Sequence, residues 1–274
     1  SKFMSCEFSV VANFYIDTEE RFLRLKDSYY SFFKSNISNW KINIRGELKY
    51  EVEKFLRSQI KERILDIQFL ETKDGWIADT ETLLKDIKNK IIFFWIEDHI
   101  CIQDYKIINE LVDEMYLYKV DHMLYTFFHK GQISKVLESV DYNEKKLLKF
   151  IELNNENYEK FNRWYFNKKI TPDYLVSLCS FMNIDFFKKN LEVSKKKYKY
   201  NKMLPFNFER SFQEKELIPF TAGFLKKELF VSIDDDHGED GYSLISRGLY
   251  EKRKSKQEMD KIRGNKVNIY KESI

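Results

Sequence analysis

The run Lys90-Ile-Ile-Phe-Phe-Trp-Ile96 is the most hydrophobic strand-like run of this chain, and Glu97-Asp98-His99 follows it at once. It shows no alternation of apolar and polar residues, which is the pattern of a strand whose two faces are both covered by helices. We therefore predict a central strand of an α/β sheet. Ligands of open α/β sheets bind beyond the carboxyl ends of strands. The acidic triplet thus marks a candidate site, although acidic residues after a strand are also common helix caps.

Short apolar runs and segments of helical period alternate on both sides of this strand. Such alternation is typical of β-α-β units, in which a helix connects neighbouring parallel strands. It predicts strands at 8–12, 40–44, 64–70 and 120–127, and helices whose apolar stripes begin at Phe22, Val52, Leu83 and Ile107. Asp17-Thr-Glu-Glu20 predicts a capping box for the first helix. The expected fold is α/β and Rossmann-like, with a mixed, mostly parallel sheet flanked by helices.

A different period runs from about Asp141 to Glu192, where apolar residues recur at helical spacing. Two stripes carry this interpretation, one at Leu147, Leu148, Ile151 and Tyr158, the other at Leu175, Leu178, Cys179 and Met182. They predict a helical insert over 141–200, inside a single domain that spans 1–250. Residues 251–274 are expected to form a polar tail.

Composition excludes several classes of protein. The chain has 24 Phe and 17 Tyr but only 8 Gly and 3 Pro, which argues against disorder and collagen-like structure. Its three cysteines are far apart and lack the spacing of a disulfide framework or a zinc knuckle, so a reducing cytoplasm fits best. No window reaches the ~20 apolar residues of a membrane span, and the first residues have no apolar secretory core.

Two basic runs interrupt a chain whose net charge is only +3. They are Lys195-Lys-Lys-Tyr-Lys-Tyr-Asn-Lys202 and Glu251-Lys-Arg-Lys-Ser-Lys256. We interpret both as solvated chain. The alternative is contact with phosphate or anionic lipid, which would place the cytoplasmic protein peripherally at the inner face of the membrane. Because the overall charge is close to neutral, we expect no nucleic-acid partner.

Two acidic constellations are candidates for chemistry. The first is the Glu97-Asp98-His99 triplet, because hard cations such as Mn²⁺ or Mg²⁺ take carboxylate oxygens and share their shell with phosphate and water. The second is Gly238-Glu239-Asp240-Gly241, where flanking glycines permit unusual backbone angles. Glu239 or Asp240 would then deprotonate an acceptor hydroxyl. The alternative for this second cluster is a solvated acidic turn.

Taken in their order along the chain, these segments resemble the family 2 glycosyltransferases, which have a GT-A fold. Residues 8–32 are similar to that family's opening strand, loop and helix, and Gly75-Trp76-x-x-Asp79 is similar to its glycine-containing segment. Glu97-Asp98-His99 resembles the D-x-H form of its D-x-D motif. The acceptor-side segment is matched by Phe220-Thr-Ala-Gly223-Phe224, Glu239-Asp240 and Arg247-Gly248.

Three departures from the family pattern accompany these matches. Asn43-Ile-Arg45-Gly46-Glu47 stands where the family has an acidic pair that contacts the nucleotide base. Arg247 comes one residue later after the Glu-Asp pair than the usual spacing. The block over 141–200 has no counterpart in the family.

The resemblance implies transfer of a sugar from a nucleoside-diphosphate donor to a hydroxyl of a glycan or lipid-linked glycan acceptor, in the synthesis of surface polysaccharide or lipooligosaccharide. Residues 1–128 would bind the donor and 217–250 the acceptor. The metal would be held by Asp98, His99 and His237. The general base of an inverting enzyme would be Asp240, with Glu239 as the second candidate. The implied donor contacts are Asn13, Tyr15, Asp17, Arg45, Gly75, Trp76, Asp79, Glu97 and Asp98.

Two rival functions are compatible with the same pattern. A metal-dependent nucleotidyltransferase or phosphoesterase would also place carboxylates at a strand end, and would turn over nucleotide without a sugar acceptor. A non-enzymatic scaffold that binds nucleic acid through the lysine runs would show an affinity that falls steeply with salt.

Overall fold

The computed structural model describes residues 6–124, 138, 140–158, 178–197, 215–235 and 243–250. The helices are α1 (Glu19–Phe32), α2 (Lys49–Gln59), α3 (Trp76–Leu83), α4 (Tyr105–Leu117) and α5 (Ile184–Lys197). The strands are β1 (Phe8–Tyr15), β2 (Ile37–Arg45), β3 (Leu65–Gln68), β4 (Ile91–Phe94), β5 (His99–Cys101), β6 (His122–Leu124), β7 (Asn143–Glu144), β8 (Leu148–Leu153), β9 (Ser180–Asn183), β10 (Phe220–Leu225) and β11 (Phe230–Ser232).

Nine of these strands form one sheet in the order β3-β2-β1-β4-β9-β6-β10-β8-β7. Strands β8 and β9 pair antiparallel with their neighbours, so they run against the other seven. The predicted mixed, mostly parallel sheet flanked by helices is confirmed. β4 lies in its interior between β1 and β9, and all four of its residues are buried, as its apolar sequence predicts.

Helix α1 packs its predicted apolar stripe against the sheet. Phe22, Leu25, Tyr29 and Phe32 are all buried, and the Phe32 ring meets the Trp95 ring edge-on at 5.3 Å between centroids. The helix begins after Thr18, whose hydroxyl accepts from Arg21 N at 3.2 Å. The cap is therefore a single threonine, and the predicted capping box over Asp17–Glu20 is wrong in detail, because the N-cap lies one residue later.

The insert predicted to be helical over 141–200 is helical only in part where the structure describes it, and the prediction is wrong for two strands. Residues 148–153 form β8, which pairs with β10, and 180–183 form β9 between β4 and β6. Ile184–Lys197 is helical, whereas 159–177, with Leu175, and 198–200 lie outside the described residues. Short apolar runs fit either period, so pairing with neighbouring strands decides between helix and strand.

Several other boundaries differ from the prediction, and β1 and β2 extend beyond their predicted ranges. The helix expected around Leu83 is observed at Trp76–Leu83, so Leu83 is its last residue. It begins directly after Gly75, which has a φ of +95°. The strand expected over 120–127 is observed at His122–Leu124, and residues beyond it fall outside the described part of the chain. No helix among the described residues is long and apolar enough to cross a bilayer.

Candidate functional site

The predicted acidic triplet lies at the carboxyl ends of three adjacent parallel strands. Tyr15 ends β1, Arg45 ends β2, and Asp98 follows β4 after a short turn. We call this place the Asp98 edge of the sheet. The buried Trp95 holds this turn through Ser28 of helix α1. Trp95 Nε1 donates to Ser28 Oγ at 2.8 Å, and Ser28 Oγ donates to the His99 carbonyl at 2.6 Å. Helix α1 therefore positions the acidic triplet.

The environments of Glu97 and Asp98 drive their pKa values apart. Burial raises the pKa of Glu97 well above its usual range, the neighbouring Asp98 charge adds to this rise, and Arg21 at 3.8 Å offsets only part of it. Burial opposes ionisation of Asp98 as well, but the His99 ring at 2.7 Å and the Arg24 charge outweigh it and lower the Asp98 pKa. Asp98 is thus the ionised carboxylate of the pair, and its side chain is 35% exposed.

A two-stranded ribbon brings Ile233 and Asp234, which precede the second acidic constellation in sequence, to the first. β11 pairs antiparallel with β5, and Ile233 N donates to the Asp98 carbonyl at 2.8 Å. Arg24 then joins α1 to this segment, since its two terminal nitrogens lie 2.7 Å from Asp234 Oδ2 and 2.7 Å from Glu20 Oε1. The residues leading to the predicted catalytic pair are therefore held beside Asp98.

The predicted general base and one predicted metal ligand belong to a part of the chain that the structure does not describe. His237, Glu239 and Asp240 lie outside the described residues, so their roles stay predictions. The described ends of the segment do come together: Asp235 N donates to Ser232 Oγ at 3.1 Å, and Leu244 N donates to the Ser232 carbonyl at 3.0 Å.

The predicted donor-binding residues of β1 and β2 form one polar network. Arg45 Nε donates to Asn13 Oδ1 at 3.1 Å, and the guanidinium lies 5.5 Å from the centre of the Tyr15 ring. Burial lowers the Arg45 pKa, although Glu71, Asp79, Tyr15 and Glu97 act against this lowering. The Arg45 cation thus lies among acidic groups at the end of β2. It offers a charge to a phosphate, and the neighbouring Tyr15 ring offers a face to an aromatic base.

Sequence reasoning missed two members of this network, Asn43 and Thr80. Asn43 Nδ2 donates to Asn13 Oδ1 at 3.0 Å, and its amide also bonds both backbone groups of Leu70. Asn13 Nδ2 donates to Thr80 Oγ1 at 2.9 Å. Asn43 is fully buried in β2, between the buried Ile42 and Ile44. A buried amide needs hydrogen-bond partners, and this was the signal that could have identified it.

The remaining predicted donor contacts have partners inside the protein. Trp76 is buried against Phe94, with 5.9 Å between ring centroids. Asp79 is buried and accepts from Thr72 N at 3.0 Å and from Thr72 Oγ1 at 2.5 Å. These contacts hold the loop that ends at Gly75. A donor contact by Gly75, Trp76 or Asp79 stays a prediction. Asp17 faces Arg21 Nε at 3.7 Å.

The fit of a divalent cation depends on Asp98. Among the described residues, no group of three or more His, Cys, Asp or Glu side chains is arranged to hold a metal. An ionised, partly exposed carboxylate nevertheless suits Mg²⁺ or Mn²⁺, which are often bound by one or two carboxylates together with substrate phosphates and water. The His99 ring contacts Asp98 through Nδ1, which suits orientation of the carboxylate.

Comparison with known proteins gives a weak structural likeness and no sequence match. No protein-family model and no curated protein matches the chain. The structure is similar to S. aureus TarS, at 13% identity and a TM-score of 0.45, and the match covers 96% of this chain but 44% of TarS. For S. aureus TarS 1-349 in complex with UDP-GlcNAc the values are 12% identity, a TM-score of 0.48, and 96% and 72% coverage.

A third similar structure is a UDP-glucose pyrophosphorylase complexed with UDP-glucose. It is 12% identical, with a TM-score of 0.48, and the match covers 89% of this chain and 98% of that one. All three TM-scores lie below 0.5. The functional proposal rests on the residues at the Asp98 edge.

Proposed function

We propose that this chain is a GT-A-type glycosyltransferase, which transfers a sugar from a nucleoside-diphosphate donor to a hydroxyl of a glycan acceptor in the presence of Mn²⁺ or Mg²⁺. One observation carries the proposal. The Asp98 carboxylate, oriented by His99 after a buried parallel strand, lies beside the start of a second acidic segment that is more than a hundred residues away in sequence. Surface polysaccharide synthesis is the proposed setting.

The donor would bind across the ends of β1, β2 and β4. Arg45 offers a fixed cation for phosphate oxygens, and Tyr15, whose side chain is exposed, offers a ring face for the base. Asn13 and Asn43 hold Arg45 in place through the shared amide oxygen. Asp98, with Glu97 beside it, would hold the cation, which neutralises the charge that builds up on the diphosphate when the sugar leaves.

The acceptor would lie on the side of the second acidic segment. In this proposal Asp240, or Glu239, accepts the proton of the acceptor hydroxyl while that oxygen attacks the sugar. Support comes from the described residues on both sides of this segment, which meet at Ser232, and from the Arg24 to Asp234 ion pair. A general base must lie within hydrogen-bond reach of the proton that it removes.

Thermal unfolding with a panel of nucleoside-diphosphate sugars and Mn²⁺ tests the proposal. A ligand that binds only the folded state raises the unfolding temperature by mass action. We expect at least one donor to stabilise the wild type, and Asp98→Asn to abolish both the Mn²⁺-dependent part of the shift and sugar transfer. Asp185→Asn, an exposed carboxylate at the other end of the sheet, is the matched control and should behave as wild type.

Full activity and unchanged metal dependence in Asp98→Asn would show that the assignment is wrong. A wild type that none of the donors stabilises would also contradict it. Nucleotide turnover without a sugar acceptor would favour the metal-dependent nucleotidyltransferase or phosphoesterase.

A further inference from the structure

A pocket of about 700 Å³ opens at the end of the sheet opposite to Asp98. Lys90, which precedes β4, lines it together with Asn183, the last residue of the antiparallel β9. The two elements are tied at this end by the backbone bond from Ile184 N to the Lys90 carbonyl, at 2.8 Å. The pocket therefore lies a full strand length away from the proposed donor site and has no part in it.

The pocket combines apolar walls with a basic rim. Its walls include Met115, Phe186, Leu217, Pro219 and Phe220, and its rim carries the exposed Lys90, Lys119 and Lys189. We call it the basic pocket. Within the described part of the chain, none of these three ammonium groups has a partner in an ion pair.

Two carboxylates also line the basic pocket. Asp121 is engaged by the backbone, because it accepts from Thr221 N at 2.8 Å. Asp185 is exposed in the first turn of α5. Three lysines against two carboxylates leave the rim with an excess of positive charge, so its charge complements an anion.

Two large apolar side chains stand exposed next to this rim. Tyr116 and Leu117 end helix α4 and are 53% and 67% exposed, and both line the basic pocket. Exposing a leucine and a tyrosine side by side is unfavourable in water. The same pair is favourable at a membrane interface, where Tyr lies at headgroup level, aliphatic residues enter the acyl boundary and lysines contact phosphate.

Lys119 occupies this position at a conformational cost. Its φ is +54°, in the left-handed region that glycine adopts freely and other residues adopt with strain. The residue follows the end of α4, where glycine is the usual choice. A lysine at this position is less stable than a glycine would be, but it places a cation at the rim of the basic pocket.

We propose that the basic pocket and the exposed Tyr116 and Leu117 form a docking surface for an anionic lipid bilayer. The lysines contact lipid phosphates, the two apolar side chains enter the interface, and the pocket receives part of a lipid. Bound in this way, the Asp98 edge faces away from the bilayer towards the solution. The proposal does not depend on sugar transfer.

Sedimentation with lipid vesicles tests the proposal on the full chain. We expect binding to equimolar phosphatidylcholine and phosphatidylglycerol vesicles that weakens with salt, and little binding to pure phosphatidylcholine. Each lysine near an anionic surface contributes about fivefold in affinity, so Lys90→Gln/Lys119→Gln/Lys189→Gln should lower partitioning about 100-fold. Tyr116→Ser/Leu117→Ser should weaken it as well.

Two controls separate docking from folding and from total charge. Lys54→Gln/Lys61→Gln/Lys73→Gln makes the same charge change outside the pocket and should leave binding within about threefold of wild type, because distant charges are screened. Lys119→Gly relieves the positive φ, so we expect it to raise the unfolding temperature while it lowers vesicle affinity. A purely structural role for Lys119 would not separate these two effects.

The outcomes that overturn the proposal are direct. They are a wild type that does not bind phosphatidylglycerol vesicles, or a pocket triple variant that binds like the control triple variant. Decyl phosphate below its micelle concentration provides a third arm. If it stabilises the wild type while vesicles do not bind, the pocket takes a soluble amphipathic phosphate and the membrane proposal is wrong.

Discussion

Breaking the buried ion pair between Glu228 and Arg247 should destabilise the protein far more than breaking a surface pair. The two contacts are 2.7 Å and 3.1 Å, and the side chains are 0% and 6% exposed. At an effective dielectric of about 20, charges about 3 Å apart attract by roughly 5 kcal/mol. Removing one partner leaves the other buried and uncompensated, so Glu228→Gln or Arg247→Met should each cost about 3–5 kcal/mol.

Urea unfolding followed by circular dichroism measures this cost in a double-mutant cycle. Because the second substitution removes the stranded charge, Glu228→Gln/Arg247→Met should lose less than the sum of the singles, with a coupling of about 2–3 kcal/mol. Arg57→Met is the control, since its pair with Glu53 at 3.2 Å is largely exposed and should contribute under about 0.5 kcal/mol. Additive losses, or single losses under about 1 kcal/mol, would refute the reasoning.

Two further predictions concern burial and backbone geometry. Burial raises the pKa of Asp27 to about 6, although Tyr250 donates to its carboxylate at 2.7 Å. Because this pKa is higher in the folded than in the unfolded protein, Asp27 stabilises the fold below pH ~4, and this contribution is lost as the pH rises through about 6. Asp27→Asn should flatten this fall in urea titrations between these pH values, and an unchanged slope would contradict the assignment. In Gly46→Ala, the new Cβ would lie 2.3 Å from the Ile16 carbonyl oxygen at a φ of +102°, so we expect a loss of about 2–3 kcal/mol. Gly248→Ala, which also has a positive φ but nothing within 4 Å, should lose only about 1 kcal/mol when both variants are unfolded in urea.

The parts of the fold that the sequence predicted are those that local pattern determines. Phe22, Leu25, Tyr29 and Phe32 repeat at helical spacing and are all buried in α1. The run 90–96 has no polar residue after Lys90, and its strand lies inside the sheet. Placing Asp98 at a strand end follows from the same pattern, because the apolar run stops where the acidic triplet begins.

The parts that sequence pattern missed are decided by distant partners. Residues 148–153 fit a helical stripe, yet they form β8 because β10 offers a strand edge to pair with. Three residues, His99–Cys101, are too few to show any period, and they form β5 only because β11 lies beside them. Burial of Glu228 likewise depends on Arg247, which follows it by 19 residues. No local rule contains these pairings.

The same distinction explains why the candidate site emerged from sequence only in part. The first acidic cluster is placed by the strand that precedes it, whereas the chain leading to the second is held beside it by the pairing of β5 with β11. Two ion pairs flank that ribbon: Asp234 of the partly exposed pair with Arg24 precedes Glu239 and Asp240 in sequence, and Arg247 of the buried pair with Glu228 follows them. Buried ion pairs add little net stability compared with apolar packing. The buried Glu228 to Arg247 pair, which anchors the chain shortly after Glu239 and Asp240 in sequence, therefore favours a positioning role, which the proposed transfer reaction requires.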